Sequence, residues 1–536
     1  MKICIFDQYF LTMGGGERHI GVIMEILLRK HDVSLIHCGT FDKTDISRKL
    51  NLDLSKVNFI DTITDESIND KVKDLVKLMQ ADLFINATHF SQLYIEGLPN
   101  ITLVFFPKFI YPRPVSKRER IKHKIGKFLF DEYDHTIKFR NFSYPEHLIE
   151  GYGRWSLKKS TLDINAPFDR VKIFYKNLKK GNAAEIFSTV SIGSKLDFGI
   201  NKSYVYFNAS QAAPAKVDIA FNTFKPADIE PGNTDKRDLG IFITRVWIDS
   251  FSLLTKLILK LWAVRGIKNY ITRLYVKSRC LEEQLEYESF LKKNILIISN
   301  SKYTSGWINK LYGTEIKPVI IYPTSSTINP LYAKAEKKKY IISVGRFFTG
   351  DHSKKQLEMI KFFKQLYDTY PLARTYTFHI CGGTHKEERN QKYIESCYRS
   401  SEGYPIEIHP DIKFDLLREL YAESQIFWHA AGLYEDEQNA PENFEHLGFT
   451  TIEAMSSGCV PVVIGVAGQL EVVKDNVDGF LWNTGDELIS KTYRLMYDED
   501  LRKKFSAAAV QRAGDFSYEH FEESVITTFE KVGIEM

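Results

Sequence analysis

Cysteine is scarce in this 536-residue chain, and its few copies lie far apart. The six cysteines contain no C-x-x-C pair and are Cys4, Cys38, Cys280, Cys381, Cys397 and Cys459. Since zinc ribbons and disulfide frameworks need closely spaced cysteines, this pattern argues against both and favours a reducing compartment. The sequence also lacks a carboxylate triplet or histidine cluster typical of a metal site. We therefore expect no metal and no cofactor.

Long apolar runs and a strong net charge are missing as well. No uncharged hydrophobic stretch reaches the roughly 18 residues that span a bilayer. The run from Met1 to Phe6 has the pattern of a buried strand rather than that of a signal peptide. A formal charge of +4 on 62.0 kDa gives no argument for nucleic-acid binding, which usually needs clustered basic stripes. We expect a cytoplasmic protein without a nucleic-acid partner.

What the chain does contain is an alternation of short apolar runs with amphipathic stretches. At this length, with 44% hydrophobic residues, it can bury two or three cores. The alternation occupies residues 1–106 and 340–497 and predicts two parallel sheets covered by helices. Ligands of such sheets bind beyond the carboxyl ends of the strands. The predicted fold class is α/β, with two Rossmann-like domains and an inserted all-β domain.

Two glutamates eight residues apart, Glu445 and Glu453, mark the most informative segment. If Gly448 and Phe449 form a turn and a helix begins at Thr450, Glu453 lies in the first helical turn, where the helix dipole favours an acid. The unpaired backbone N–H groups at such a helix start bind phosphate. Taken alone, the glutamate pair fits a capped helix with two ordinary surface acids better than it fits a ligand site.

Further motifs occur in order around this pair. They are Gly14 to Arg18 after the first strand, Ile298 to Tyr303, Val319 to Pro323, Ile341 to Phe347, and Lys354. Together with the E-x7-E pattern from Glu445 onward, this set resembles glycosyltransferase family 4, whose retaining members have the two-domain GT-B fold. The resemblance covers about residues 1–110 and 290–536. It implies transfer of a sugar from a nucleotide-diphosphate donor.

The resemblance also implies a role for each motif residue. Arg346 and Lys354 would bind the departing diphosphate. Lys355 would take the place of Lys354 if the match to the family pattern shifts by one residue. Glu445 would orient the sugar, and Glu453 would hold the ribose. Backbone close to the phosphates is expected at Gly448, Phe449, Thr450, Gly15 and Gly16. Cations and helix N-termini would then take the role that Mg²⁺ has in other transferases, so the nucleotide sugar is the only co-substrate implied.

One position departs from the family pattern. Members often have a histidine at the end of an N-domain strand, close to the transferred sugar. The matching strand here, Ile101 to Pro107, carries Phe106 at that place. His89 follows the preceding strand, so it is a candidate for the same part of the cleft.

A large insertion is the second departure. From about residue 143 to 248 the chain shows short alternating runs separated by turn residues, which is typical of a β-sandwich or barrel. Its function is open between a glycan-binding module and a structural or oligomer contact. We divide the chain into 1–125 (acceptor side), 126–285 (β-rich insertion), 286–515 (nucleotide-sugar domain) and 516–536 (a helix returning to the first domain).

Two basic stretches flank the insertion. Residues 113–127 contain seven Lys or Arg and one acid, Glu119, while residues 251–279 contain no acid at all. The run from Leu253 to Trp262 predicts an apolar helix that carries lysines and a tryptophan. Such a helix either lies in a membrane interface or packs on its own domain with a solvated basic face, and the pattern does not separate the two.

The sequence therefore predicts a retaining hexosyltransferase with a GDP- or UDP-linked donor and a lipid-linked or surface glycan as acceptor. A lipid-linked acceptor favours a peripheral position on the inner face of the membrane. The sequence leaves open whether the protein forms a homo-oligomer. A glycoside hydrolase with Glu445 and Glu453 as acid and nucleophile fits poorly, because Arg and Lys beside them suit a phosphate. An inactive glycan-binding scaffold is the other alternative, and it predicts no nucleotide binding.

Overall fold

The computed structural model describes the chain except for residues 13–14, 40–49, 51, 63–67, 109–112, 143–145, 149–150, 177–186, 192–196, 202–203, 212–214, 222–241, 264–267, 325–334, 351 and 385–386. The chain divides into two compact units. The first unit comprises Met1–Pro114 and Glu286–Met536, and the second comprises Val115–Leu285.

The strands follow the predicted apolar runs closely. In chain order they are β1 (Lys2–Phe6), β2 (Asp32–Cys38), β3 (Asn58–Thr62), β4 (Leu83–Asn86), β5 (Asn100–Val104), β6 (Ile137–Phe142), β7 (Glu146–Leu148), β8 (Gly151–Ile164), β9 (Phe168–Lys176), β10 (Phe187–Ser191), β11 (Asp197–Asn201), β12 (Tyr204–Gln211), β13 (Ala215–Phe221), β14 (Phe242–Ile248), β15 (Leu296–Ser299), β16 (Val319–Ile320), β17 (Lys338–Val344), β18 (Thr377–Gly382), β19 (Ile406–Pro410), β20 (Ser424–His429), β21 (Val460–Ile464) and β22 (Phe480–Trp482).

The helices occupy the amphipathic stretches. They are α1 (Gly15–Leu27), α2 (Ile68–Leu78), α3 (Lys117–Thr136), α4 (Leu253–Ala263), α5 (Lys268–Lys293), α6 (Lys302–Tyr312), α7 (Gln356–Thr369), α8 (Glu388–Ser401), α9 (Phe414–Glu423), α10 (Phe449–Ser456), α11 (Gln469–Val472), α12 (Gly485–Tyr497), α13 (Glu499–Ala513) and α14 (Tyr518–Lys531). Within the described residues, no helix combines the length and the apolar character needed to cross a bilayer.

The first unit contains two parallel sheets, as predicted. One sheet has the strand order β16-β15-β5-β4-β1-β2-β3, and the other has the order β19-β18-β17-β20-β21-β22. Each sheet is covered on both faces by apolar side chains, which form separate core clusters on the two sides. The central strands are buried along their whole length, which explains their continuous apolar runs. The Rossmann-like α/β class is therefore confirmed.

Two strands that follow residue 286 lie in the first sheet rather than in the second. β15 pairs in parallel with β5, with Leu296 opposite Ile101, and β16 extends the sheet beyond β15. The motif from Ile298 to Tyr303, predicted to open the second α/β half, completes the first half instead. The physical reason is that β5 is buried at every residue, so its outer edge needs a strand partner.

The second unit combines an antiparallel sheet with helices, so it is β-rich but not all-β. Its strands follow the order β10-β13-β8-β14-β9-β12-β11, and β6 and β7 also pair with β8. Phe130 and Tyr133 of α3 share the core with Ile258 and Trp262 of α4 and with apolar residues of the strands. The β-sandwich arrangement stays a prediction.

Helix α14 returns to the first sheet. Its residues Phe521, Val525 and Phe529 belong to the same core cluster as Ile20 and Ile23 of α1. At the edge of this contact, Arg29 forms an ion pair with Glu522, and the hydroxyl of Tyr518 donates a hydrogen bond to Glu25 at 3.3 Å. The final helix is thus part of the first α/β half, although it is separated from it by most of the chain.

A buried histidine lies in this contact between α1 and α14. The ring centroid of His19 lies 5.9 Å from that of Phe105 and 5.2 Å from that of Phe521, both edge to face. Neither ring nitrogen has a hydrogen-bond partner in the described part of the chain. Burial lowers the pKa of His19 from 6.5 to about 3. The ring therefore stays neutral in the folded protein under conditions in which the unfolded chain binds a proton.

This depressed pKa makes stability fall as the pH falls from 6.5 towards 3, because only the unfolded state takes up the proton in that window. Between pH 7 and pH 5 we expect the wild type to lose about 2 kcal/mol more unfolding free energy than His19→Leu. Thermal unfolding midpoints over this range measure the effect. The exposed His520, changed to Gln, serves as the control and should keep the wild-type pH dependence. If the unfolding midpoints of the wild type and His19→Leu changed with pH by the same amount, the prediction would be contradicted.

Candidate active site

Helix α10 begins at a glycine turn without a side-chain cap. Gly448 precedes the helix with a φ of +104°, a left-handed conformation that favours glycine. The helix begins at Phe449, one residue before the predicted start, so Glu453 is its fifth residue and lies outside the first turn. In the described chain no side chain caps this end. The N–H groups of Phe449 and Thr450 therefore point out of the helix towards any bound anion.

Close packing fixes this turn from behind. A Cβ atom at Gly448 would lie 2.6 Å from Nε2 of Gln469, and one at Gly468 would collide with the backbone of His446. The N–H of Gly468 donates a hydrogen bond to the carbonyl oxygen of Glu445 at 2.9 Å. The loop that carries Glu445 is thus held against the start of α11.

Glu445 lies in this loop, just before α10, and is mostly buried. Its Oε2 accepts hydrogen bonds from Nζ of Lys354 at 2.6 Å and from Nε2 of His429 at 3.1 Å. Burial alone would raise the pKa of Glu445. The ammonium of Lys354 and the hydrogen bond from His429 outweigh burial and hold the pKa well below 4.5. The carboxylate is therefore ionised at neutral pH and can accept hydrogen bonds from hydroxyl groups.

The histidines around this ion pair are neutral. Burial, aided by the charge of Lys354, lowers the pKa of His352 to about 4. Burial likewise lowers the pKa of His429, and it lowers that of His446 well below 6.5. Nε2 of His352 lies 2.9 Å from Nζ of Lys354, where a neutral imidazole accepts a hydrogen bond from the ammonium. Positive charge at the site is therefore concentrated on Lys354 and Arg346.

Arg346 follows β17 at the carboxyl end of the second sheet. Its side chain is exposed, and its charge is one of those that lower the pKa of His352, so the guanidinium lies near the same cluster. The glycine before it has little room: a Cβ atom at Gly345 would lie 2.6 Å from Cγ of Lys354, and one at Gly382 would collide with the Gly345 backbone. These contacts place both cations at one strand end.

The two neighbouring lysines point to different acids. Lys355 is the residue before α7, has a φ of +58°, and places its Nζ 2.5 Å from Oε1 of Glu435. Glu435 also accepts a hydrogen bond from Nδ2 of Asn443 at 3.0 Å. Lys354, and not Lys355, is thus the lysine that reaches Glu445. Lys355 instead ties its own turn to the loop before α10.

Glu453 is half-buried on α10, and Oη of Tyr421 donates a hydrogen bond to it at 3.3 Å. Arg18 of α1 lies within electrostatic reach. Burial lowers the pKa of Arg18, and the charge of Glu453 partly restores it. Arg18 was not among the predicted site residues, although it ends the Gly14 to Arg18 motif. A cation two residues after a run of three glycines was the signal that could have identified it.

The glycine-rich start of α1, in the first half, lies on the start of α10. Gly15 and Gly16 are the first residues of α1, while Gly14 lies outside the described residues. A Cβ atom at Gly15 would lie 3.5 Å from the ring of Phe449, and one at Gly16 would lie 3.4 Å from the ring of Phe105. Backbone of the first half therefore closely approaches the helix start of the second half.

Phe106, which stands where the family pattern has a histidine, is buried and stacked. Its ring centroid lies 4.3 Å from that of His446, with the planes 14° apart, and Tyr303 stacks on it at 6.0 Å. His89 lies in the turn after β4, exposed and in ring contact with Phe90. A proton on His89 would lower the pKa of His446, so the two rings lie within electrostatic reach of each other. His89 thus lies close to this cluster, and His446 and His352 are the cluster members that the sequence reasoning missed.

Three other side chains have the chemistry of metal ligands. On β18 and β19, Nδ1 of His379 lies 3.1 Å from Nε2 of His409 and 3.5 Å from Oε2 of Glu407. The shorter contact is a hydrogen bond between two imidazoles. The second nitrogen of His379 is buried without a partner among the described residues, whereas a metal-bound histidine usually donates that N–H to another group. The expectation of a metal-free protein stays a prediction.

Sequence comparison identifies a known family in the second half. Residues 326–512 match the family described as "Glycosyl transferases group 1". A 210-residue segment is 26% identical to the sulfoquinovosyl transferase SQD2 of Arabidopsis thaliana. That match covers 36% of this chain and 36% of the relative, so it spans about a third of the length of each protein.

Solved structures share the architecture over nearly the whole chain. A glycosyltransferase from Rickettsia africae has a TM-score of 0.53 at 11% identity, covering 99% of this chain and 98% of that one. Anabaena HepE, solved in complex with UDP and glucose, has a TM-score of 0.52 at 12% identity and covers 99% of both chains. Sucrose-phosphate synthase from Thermosynechococcus elongatus has the same TM-score at 9% identity and covers 99% of both chains. At such identities the likeness establishes the GT-B fold, as predicted.

Proposed function

We propose that this protein is a retaining hexosyltransferase that uses a nucleotide-diphosphate sugar. One observation carries the proposal. The uncapped start of α10 stands directly after a loop in which Glu445 is paired with Lys354. A helix N-terminus and a lysine attract phosphate, while an ionised carboxylate in the same loop suits sugar hydroxyls. The match to a glycosyltransferase family over residues 326–512 supports the same reading.

In this reaction the bond between the anomeric carbon and the diphosphate oxygen breaks, and its electron pair leaves with the diphosphate. Arg346, Lys354 and the N–H groups at the start of α10 stabilise that growing negative charge. The acceptor hydroxyl oxygen forms the new bond on the same face of the sugar, and its proton passes to the departing diphosphate. Glu445 holds the sugar hydroxyls, and Glu453 holds the ribose. These groups provide the electrostatic stabilisation without a metal.

The donor is a uridine or guanosine diphosphate sugar. HepE, which shares the fold, was solved with UDP and glucose, and this favours uridine as the first base to test. The proposed acceptor is a hydroxyl of a lipid-linked or surface glycan. His89 and the start of α1 at Gly15 and Gly16 belong to the first half, on the side where such an acceptor would approach.

The hydrolase alternative conflicts with the charge state of Glu445. A general acid must be protonated when it acts, but the pKa of Glu445 is held well below its usual range by Lys354 and His429 despite burial. The scaffold alternative predicts that the α10 site binds no nucleotide. It therefore has a direct experimental test.

The test is calorimetric titration of the full chain with UDP, GDP and their glucose conjugates. We expect at least one nucleotide diphosphate to bind and Glu453→Ala to weaken it about tenfold or more, because a hydrogen bond to a charged group is lost. The exposed Glu419, on α9 of the same half, provides the matched control as Glu419→Ala and should bind like the wild type. Unchanged nucleotide affinity in Glu453→Ala would mean that the nucleotide does not bind at Glu453. A complete lack of binding would favour the scaffold.

A further inference from the structure

Helix α3 of the second unit exposes large apolar side chains along one face. Ile121, Ile125 and Phe128 are 61%, 53% and 73% exposed. Their spacing of four and three residues places them on the same side of the helix. The opposite side of α3 carries Phe130 and Tyr133, which are buried in the core of the second unit. The exposed set is thus a second apolar stripe that the core of this unit does not use.

Positive charge surrounds this stripe. Residues 117–127 contain six Lys or Arg and one acid, Glu119. Glu119 is turned inward and buried, where it completes the helix cap with Ser116 and forms an ion pair with Lys277 at 3.1 Å. Lys117, Lys122 and Lys124 are exposed. The first half of α3 therefore presents only cations to solvent, together with its apolar stripe.

Helix α4 continues the same surface. The hydroxyl of Ser252 and that of Thr255, at the start of α4, both donate hydrogen bonds to Glu132 of α3. Glu132 lies one turn beyond Phe128 on the same face of its helix. The neighbouring residues Leu253, Leu254 and Leu257 are 43–84% exposed, and Lys260 is exposed beside them. The two apolar sets are thus brought together by the contact between the helices.

The tryptophan of α4 faces inward. Trp262, which the membrane alternative would have placed in the bilayer interface, is 4% exposed and packs against Phe130 at 5.7 Å and Tyr275 at 5.2 Å. The tryptophan therefore belongs to the core of the second unit. The leucines of the first turn, and not Trp262, are the side chains of α4 available to a partner.

We propose that this α3–α4 surface, formed by Ile121, Ile125 and Phe128 of α3 and by Leu253, Leu254 and Leu257 of α4, docks on an anionic lipid bilayer. Large exposed apolar side chains that cluster on a monomer mark an interaction surface. The excess of positive charge around the first half of α3 selects the occupant. An anionic membrane attracts Lys and Arg, while its acyl region buries Leu, Ile and Phe. The inference rests on the second unit alone and does not depend on the proposed sugar transfer.

The test is co-sedimentation of the full chain with vesicles of phosphatidylcholine alone and with phosphatidylglycerol mixed in. We expect binding to the anionic vesicles, weakening as salt is raised. Phe128→Ser combined with Leu257→Ser should lower the partition coefficient about tenfold or more, since two large apolar side chains no longer insert. Lys122→Gln combined with Lys124→Gln should also lower it about tenfold, and only on anionic vesicles.

The matched control replaces exposed apolar residues elsewhere. Phe414 and Leu416 of α9 are 50% and 44% exposed, and Phe414→Ser with Leu416→Ser should bind vesicles like the wild type. Circular dichroism of each variant establishes that it is folded. Equal binding by the Phe128/Leu257 variant, or wild-type binding that ignores lipid charge, would overturn the proposal. So would a dimer in solution that this variant abolishes, because the surface would then belong to a second copy of the chain.

Discussion

Replacing Lys354 by Met should lower kcat/KM for sugar transfer about 10³-fold. The ammonium donates a hydrogen bond at 2.6 Å to Glu445, which lies just before α10. Its loss removes one stabilising charge from the departing diphosphate. It also leaves the mostly buried carboxylate of Glu445 without its partner, which lowers stability. Steady-state kinetics with the donor found by titration measures the first effect, and thermal unfolding measures the second.

A double variant separates these two effects. Lys354→Met combined with Glu445→Gln removes the unpaired charge, so the unfolding midpoint should move back towards that of the wild type while transfer stays lost. Lys355→Met should lower kcat/KM much less than Lys354→Met does, because Lys355 forms an ion pair with Glu435. Lys361→Met, at an exposed position of α7, is the matched control and should transfer sugar normally. A near wild-type kcat/KM for Lys354→Met would mean that Lys354 does not take part in sugar transfer.

The single change Glu445→Gln should lower kcat about 10² to 10³-fold while leaving the affinity for the free nucleotide diphosphate within a few-fold of wild type. Glutamine keeps the shape but loses the charge that favours a positively charged sugar. Because Lys354 and His429 hold the pKa of Glu445 well below 4.5 against the effect of burial, the wild-type rate should show no acid limb from this group at mildly acidic pH. Rate profiles against pH and titrations with the nucleotide measure these outcomes.

Glu419→Gln is the control for that experiment, since it makes the same chemical change at an exposed position. If Glu445→Gln lowered the affinity for the nucleotide diphosphate by as large a factor as it lowered kcat, Glu445 would bind the nucleotide rather than the sugar. The division of labour between Glu445 and Glu453 would then be reversed.

Local patterns were enough to place most elements of the two α/β sheets. The apolar runs predict β4 and β21 at their observed bounds, because strands buried on both faces need continuous apolar sequence. The E-x7-E segment likewise predicts the turn at Gly448, with an error of one residue in the start of α10. Elements whose identity depends on their own residues were thus predictable.

Partners were not predictable where they come from distant parts of the chain. The apolar pattern of β15 suits either sheet, and only the unpaired edge of β5 decides between them. Glu471 lies on the short helix α11, and its sequence fits a ligand-facing loop and a helix cap equally well. Instead, its carboxylate accepts hydrogen bonds from the N–H groups of Lys302 and Tyr303 at the start of α6. The approach of Arg18 to Glu453 and of His352 to Lys354 has the same origin, because loop contacts leave no periodic signal.

The position of β15 next to β5 affects the order in which the protein is built. Leu296 lies opposite Ile101, so all the residues between these two positions must leave the ribosome before the first sheet gains this strand. Its α1 face then still lacks Phe521, Val525 and Phe529 of α14. The strands of the second sheet, by contrast, are contiguous within residues 338–482. The half that is synthesised first is therefore completed last, and its apolar α1 face stays open to chaperones or aggregation until α14 has emerged.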